Sequence, residues 1–225
     1  MTDDRLNFAR KLTAEALGTA LLIVAVIGSG IMAQRLSPND VGLQLLENAA
    51  ATAGALIGLI LMFGSISGAH FNPAVTLSFR ILDNLPTREA VGFVGAQVFG
   101  GCVGAVIANL MFDLRAITLS TKARSSGALW LSEAVATGGL LLLIHGIVRS
   151  GRSSVVPFAV GAWIGGAYWF TSSTSFANPA VTIARMLSNT FAGIKPSSAP
   201  MFIVMQAVGV AIAVPLIRVL YPPHS

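Results

Sequence analysis

The sequence has little charge. Of its 225 residues only 10% are Asp, Glu, Lys or Arg. Ordinary soluble domains carry roughly a quarter, so a standard soluble fold is excluded. Cysteine is nearly absent, and the single Cys102 excludes a disulfide scaffold. The 23 glycines follow no period, which excludes collagen, and the 54% hydrophobic content excludes disorder. Cys102 and the three His lie far apart and lack ligand spacing, so no metal site is signalled. No Ser-His-Asp or Cys-His arrangement points to an enzyme, and no cofactor is implied. The net charge of +5 does not point to nucleic acid, because the Lys and Arg are scattered between apolar runs as loop charges are.

What remains is apolar. Mean hydropathy is +0.77. A spanning helix needs ~20 mostly apolar residues. Stretches 16–34, 48–69, 90–112 and 196–217 carry no charge. Stretch 125–150 holds only Glu133, His145 and Arg149, and 153–184 is uncharged and long enough for more than one element. The expected fold is therefore all-α and membrane-embedded, with six transmembrane helices and both termini on one side. The first apolar run is expected near Leu12, after a polar start. No small-residue cleavage site follows a short apolar stretch, so no signal peptide is expected. With the N-terminus inside, eight of the 14 Lys and Arg fall on the inner side, which agrees with the positive-inside rule.

The chain repeats itself. Segments 65–81 and 173–187 both contain Asn-Pro-Ala-Val-Thr, and 14–23 resembles 132–144. Downstream, Gln97 and Gln206 each open a small-residue stretch. The separation is 118 between Glu15 and Glu133, 106 between Asn72 and Asn178, and 109 between the two Gln. Element order is kept while loop length differs. One channel domain, 1–225, is expected, with repeats at about 10–112 and 126–220. Three spans per repeat is odd, so the second half enters the membrane inverted. Inverted repeats place a solute site near the midplane.

The paired boxes have a physical reading. Asn72 and Asn178 are good N-caps, and Pro73 and Pro179 fit the first helical position, where a missing N–H costs nothing. The helices that follow, including Ala74 and Ala180, reach only about residues 83 and 188 and are too short to span. Irregular backbone at that depth must line a cavity or be buried. Loops 64–71 and 171–177 are therefore expected to line a pore, with Asn72 and Asn178 donating to the solute. Two helix N-termini at the centre, each about +0.5 charge, disfavour protons and cations. Glu15 and Glu133 are the carboxylates well inside the spans. They either relay protons in a coupled transporter or accept backbone N–H bonds from the loops, and the latter is preferred because buried donors need partners.

Together the two boxes, the SGAH before the first, the early Glu of each half and the six spans resemble the aquaporin (major intrinsic protein) family over about residues 10–220. The resemblance implies two re-entrant half-helices, one pore per subunit, a homotetramer in the lipid bilayer and passive flux of small neutral solutes. It also implies a bacterial inner membrane with both termini cytoplasmic. In the family a narrow filter is built from four positions. Counting from the Asn residues, they fall at Thr52, Gly166, Ser175 and Val181. Water channels carry Phe, His and Arg at the first, second and fourth of these. Val181 is the main departure, since Arg is usual there, and Thr182 replaces the Asp common in glycerol facilitators.

Small uncharged residues predict a wide filter. Val181 with Asn-Pro-Ala-Val-Thr in both halves resembles the arsenic-resistance branch of the family, which implies passage of arsenous and methylarsenous acid beside water or glycerol. A general water and glycerol facilitator is the alternative. A proton-coupled transporter, an ion channel and a structural junction protein are less favoured. Arg185 lies ~10 Å into its half-helix against ~4.5 Å for Val181, so it is expected to cap the outer mouth or pair at the surface. His70 is expected to line the pore on the inner side, and His145 to be a satisfied interfacial residue. Gly92, Ala96, Gly100 and Gly104 form a ladder for close helix packing. Trp130, Trp163 and Trp169 are expected as interface anchors.

Overall fold

A computed structural model describes residues 2–222. Met1 and residues 223–225, part of the expected 1–225 domain, lie outside the described residues. The regular elements of the described residues are all helices: α1 (Thr2–Leu36), α2 (Val41–Ser67), α3 (Pro73–Leu82), α4 (Thr87–Met111), α5 (Gly127–Arg149), α6 (Val156–Phe170), α7 (Pro179–Arg185) and α8 (Ala199–Leu220), with a 3-10 turn at Ser153–Val155. Five of these, α1, α2, α4, α5 and α8, are long and apolar enough to cross a membrane by length and composition. The sixth expected span is α6. It has 15 residues, about 22 Å at 1.5 Å per residue, short for an upright crossing. Stretch 153–184 thus divides into α6, a loop and α7.

Local chemistry sets these boundaries. Asp40 caps α2 by accepting from Leu43 N at 2.9 Å, and Ser126 caps α5 from Leu129 N. Gly68 ends α2 in the left-handed region at φ 89°, where a side chain is disfavoured. The first dipping loop is accordingly 68–71, shorter than the expected 64–71, because α2 keeps its hydrogen-bonded turns through Ser67. The helix of α1 begins about ten residues before the expected apolar onset. Its polar first turns dock on α4, where Lys11 pairs with Glu89 at 2.9 Å and Arg88 lies over Phe8.

The two halves pack alike. In the first, α4 lies against α1, and a Cβ on Gly100 or Gly104 would strike the carbonyls of Ala16 or Ala20. In the second, α8 lies against α5, and a Cβ on Gly209 would come 2.7 Å from Ala134 O. The glycine ladder of α4 therefore serves packing inside the subunit. The half-helices α3 and α7 sit between these pairs and bring the two boxes together.

Candidate functional site

Both boxes are built by one local design. Asn72 Oδ1 accepts from Ala74 N at 2.9 Å, and Asn178 Oδ1 accepts from Ala180 N at 2.9 Å and Val181 N at 3.2 Å. Pro73 and Pro179 occupy the first helical positions. The amide nitrogens cross over: Asn72 Nδ2 donates to Ala177 O and Asn178 Nδ2 to Phe71 O, each at 2.8 Å. One N–H of each Asn amide thus latches the opposite loop, and the other has no partner among the described residues.

The loops before the Asn residues are strained in matching places. Ala69 and Phe71 have φ of 51° and 48°, and Ser175 and Ala177 have 47° and 48°. Non-glycine residues in this region cost of order 1–3 kcal/mol each, so something must hold them. The two carboxylates do. Glu15 accepts from Ser67 Oγ, His70 N, Phe71 N and Gln97 Nε2 at 2.6–3.0 Å. Glu133 accepts from Ser173 Oγ, Phe176 N, Ala177 N and Gln206 Nε2 at 2.6–2.9 Å. Gln97 and Gln206 also reach Thr76 and Thr182. Both carboxylates are fully buried, and neither borders the cavity described next. The geometry is that of loop support.

A cavity of about 530 Å³ touches both boxes, bordered by Asn72, Asn178 and His70 and walled by apolar side chains such as Leu56, Ile60 and Val160. Of the four counted filter positions, Thr52, Ser175 and Val181 border it. Ser175 Oγ is buried and has no hydrogen-bond partner, so it is available to a solute. Gly166 does not border it. Gly166 is exposed, and a Cβ there would meet nothing nearer than the Phe170 ring at 3.7 Å. The cavity face of α6 is instead the stripe Val160, Ile164 and Tyr168. A shift of two residues turns ~200° around a helix, so Gly166 faces away where Tyr168 faces in. Counting back from Asn178 missed this, because it presumed the family's spacing between α6 and the box. The signal was present in the polar Tyr168 at i+4 spacing. Its hydroxyl lies 3.1 Å from Thr52 Oγ1.

Nor is this wall uncharged. Arg185, expected at the mouth or surface, is 2% exposed and borders the cavity beside Val181. Its guanidinium lies 3.4 Å from the Phe176 ring centre, and its Nε donates to Ala192 O. Sequence reasoning treated Arg124 only as a loop charge. Arg124 is buried under the outer loops, where its Nε donates to Gly193 O at 3.0 Å and its Nη1 to Ser173 O at 3.2 Å. Burial lowers its pKa to about 10, partly offset by Glu133 and Tyr168. Burial, then Arg124 and Arg185, lower Lys122 to about 8. Both residues stay charged at neutral pH.

On the other side of the boxes, His70 borders the cavity, stacks on Phe79 at 4.8 Å and has Nδ1 3.1 Å from Thr76 Oγ1. It both lines and anchors. His145 is fully buried, 2.9 Å from Ser78 Oγ and 3.2 Å from Asp83, and does not border the cavity. Trp163 is an internal packing residue that donates to Ala136 O, whereas Trp169 is exposed. Among the described residues no group of three or more His, Cys, Asp or Glu forms a metal-binding cluster.

A family model described as Major intrinsic protein matches residues 3–174. The chain belongs to the major intrinsic protein family. Among relatives, the Aquaglyceroporin AqpS of Rhizobium meliloti (strain 1021) is 47% identical over 217 residues, which cover 96% of this chain and 92% of that protein. The Aquaporin NIP6-1 of Arabidopsis thaliana is 32% identical over 69% of this chain and 51% of that protein. The solved aquaglyceroporin from Plasmodium falciparum superposes with a TM-score of 0.74 at 20% identity, covering 93% of this chain and 95% of that one, and supports the fold. This major intrinsic protein is thus a membrane channel and not an enzyme.

Proposed function

We propose that this channel passes small neutral hydroxylated solutes by diffusion, with a filter wide enough for glycerol and for arsenous and methylarsenous acid as well as water. The observation that carries the proposal is the wall around the boxes, where Val181, Thr52 and Ser175 border the cavity with small side chains. A solute hydroxyl meets the free N–H of Asn72 or Asn178 and the unpartnered Ser175 Oγ, while a methyl or methylene meets Val181. Arsenous and methylarsenous acid are neutral at pH 7 and combine those features. The likeness to an aquaglyceroporin supports glycerol in the same way. The filter in this reading is Thr52, Tyr168, Ser175 and Val181. Pro73, Ala74, Pro179 and Ala180 shape the two half-helix starts, His70 lines the inner side, and Glu15 and Glu133 hold the loops. The chain forms one domain of two inverted repeats, assembles as a homotetramer and lies in a bacterial inner membrane with both termini cytoplasmic.

Stopped-flow light scattering on proteoliposomes tests the proposal with water, glycerol and methylarsenous acid gradients. Wild type is expected to pass all three, and Val181→Arg to block the two larger solutes while still passing water. Wild type that passes water alone, or a Val181→Arg profile equal to wild type, would remove Val181 from the filter.

A further inference from the structure

We propose that Arg185 supplies the fixed cation of the filter, so that Val181 makes the constriction wide and apolar without making it uncharged. The proposal rests on the channel reading above and concerns what that channel excludes. Residues 181 and 185 are one helical turn apart on α7, and both border the cavity. The guanidinium is held from two sides: its Cζ lies over the Phe176 ring, and its Nε is taken by Ala192 O. A guanidinium has five N–H donors. Among the described residues no acceptor other than Ala192 O meets them, so the terminal donors are left for whatever occupies the cavity.

The neighbouring cations differ. Arg124 also lies over Phe176, at 5.1 Å, but two loop carbonyls occupy it and it does not border the cavity. Lys122 donates to Phe191 O at 2.8 Å and does not border the cavity either. Arg124 ties the loops that frame Phe176 and is a positioning residue, while Arg185 meets the solute. Phe176 in turn is set by its backbone bond to Glu133 at 2.9 Å. A planar guanidinium on an aromatic face is held at a fixed orientation. It can donate to a solute oxygen while the solute's apolar part rests on Val181. A cation at the same point meets a like charge in a confined site and is repelled.

The test compares wild type, Arg185→Met and Arg185→Lys in proteoliposomes, with sodium uptake and glycerol flux as separate readouts and water flux as the sign of an intact pore. Wild type is expected to pass glycerol with sodium uptake at the level of empty vesicles. Arg185→Met is expected to raise sodium uptake at least about tenfold, because a fixed like charge in a confined site strongly disfavours a cation, and Arg185→Lys to reverse most of that rise. Arg185→Met that passes water and excludes sodium as well as wild type does would overturn the proposal. If wild type passes no glycerol, the channel reading fails, whatever the sodium result. Should Arg185→Met not fold, labelling of wild type decides. Glyoxal, a small neutral arginine reagent, is expected to modify Arg185 and to block glycerol flux, with exposed Arg115 as the reference. Full reaction at Arg115 with none at Arg185 would also overturn it.

Discussion

At the scale of single residues, the buried carboxylates and the filter wall make separate demands. Glu15 and Glu133 each satisfy four donors. A stranded buried donor costs roughly 1–3 kcal/mol, so Glu133→Ala is expected to lose more than about 3 kcal/mol and Glu15→Ala a similar amount. Thermal unfolding in detergent reads the loss. In a proton relay, either substitution would instead alter the pH response of transport at unchanged stability. The filter correction has its own test. Gly166→Ala is expected to leave glycerol flux unchanged, since its Cβ meets only the Phe170 ring at 3.7 Å. Tyr168→Phe is expected to cost about 1 kcal/mol through the lost Thr52 contact and to alter glycerol flux. The opposite pattern would restore the counted position. That Asn72, Asn178, Thr52, Ser175 and Val181 border one cavity was legible, because they are tied to the boxes or to a helix in fixed phase. Tyr168 was passed over because the count from Asn178 crosses a loop of variable length, and Arg185 because a side chain's rotamer decides where it points.

At the scale of elements, close approach is what the glycines of α4 provide. Gly100 packs against the backbone of Ala16, so even Gly100→Ala forces the helices apart and is expected to destabilise by about 1–3 kcal/mol. Gly95, on the same helix, has nothing within 4 Å of a built Cβ. Gly95→Ala is therefore expected to be neutral or to stabilise by up to about 1 kcal/mol, the propensity gain of Ala over Gly in a helix. The pair of measurements separates packing from propensity, and equal effects would mean that α1 and α4 do not meet as described. Apolar run lengths showed the helices themselves. Their ends were less legible. The start of α1 is amphipathic, and its Lys11–Glu89 pairing involves residues far apart in sequence. The end of α2 depends on the left-handed turn at Gly68.

At the scale of the whole molecule, the two halves meet at their strained loops as well as where α2 packs against α6. Each box ends a strained loop, and each Asn both caps its own half-helix and holds the other loop's carbonyl. A cap contributes ~1 kcal/mol and a cross-loop hydrogen bond about as much, so Asn72→Ala and Asn178→Ala are each expected to lose about 2 kcal/mol. The caps belong to separate helices and should add. The latches should not. Removing Asn72 frees Ala177 O, the residue before Asn178, and so loosens the very loop from which Asn178 reaches Phe71. The second substitution then has less left to break. A double-mutant cycle is expected to show a coupling of at least about 0.5 kcal/mol, above the usual error of additivity. Strict additivity would mean that the repeats meet without holding each other, and that the pore's centre is fixed by each half alone.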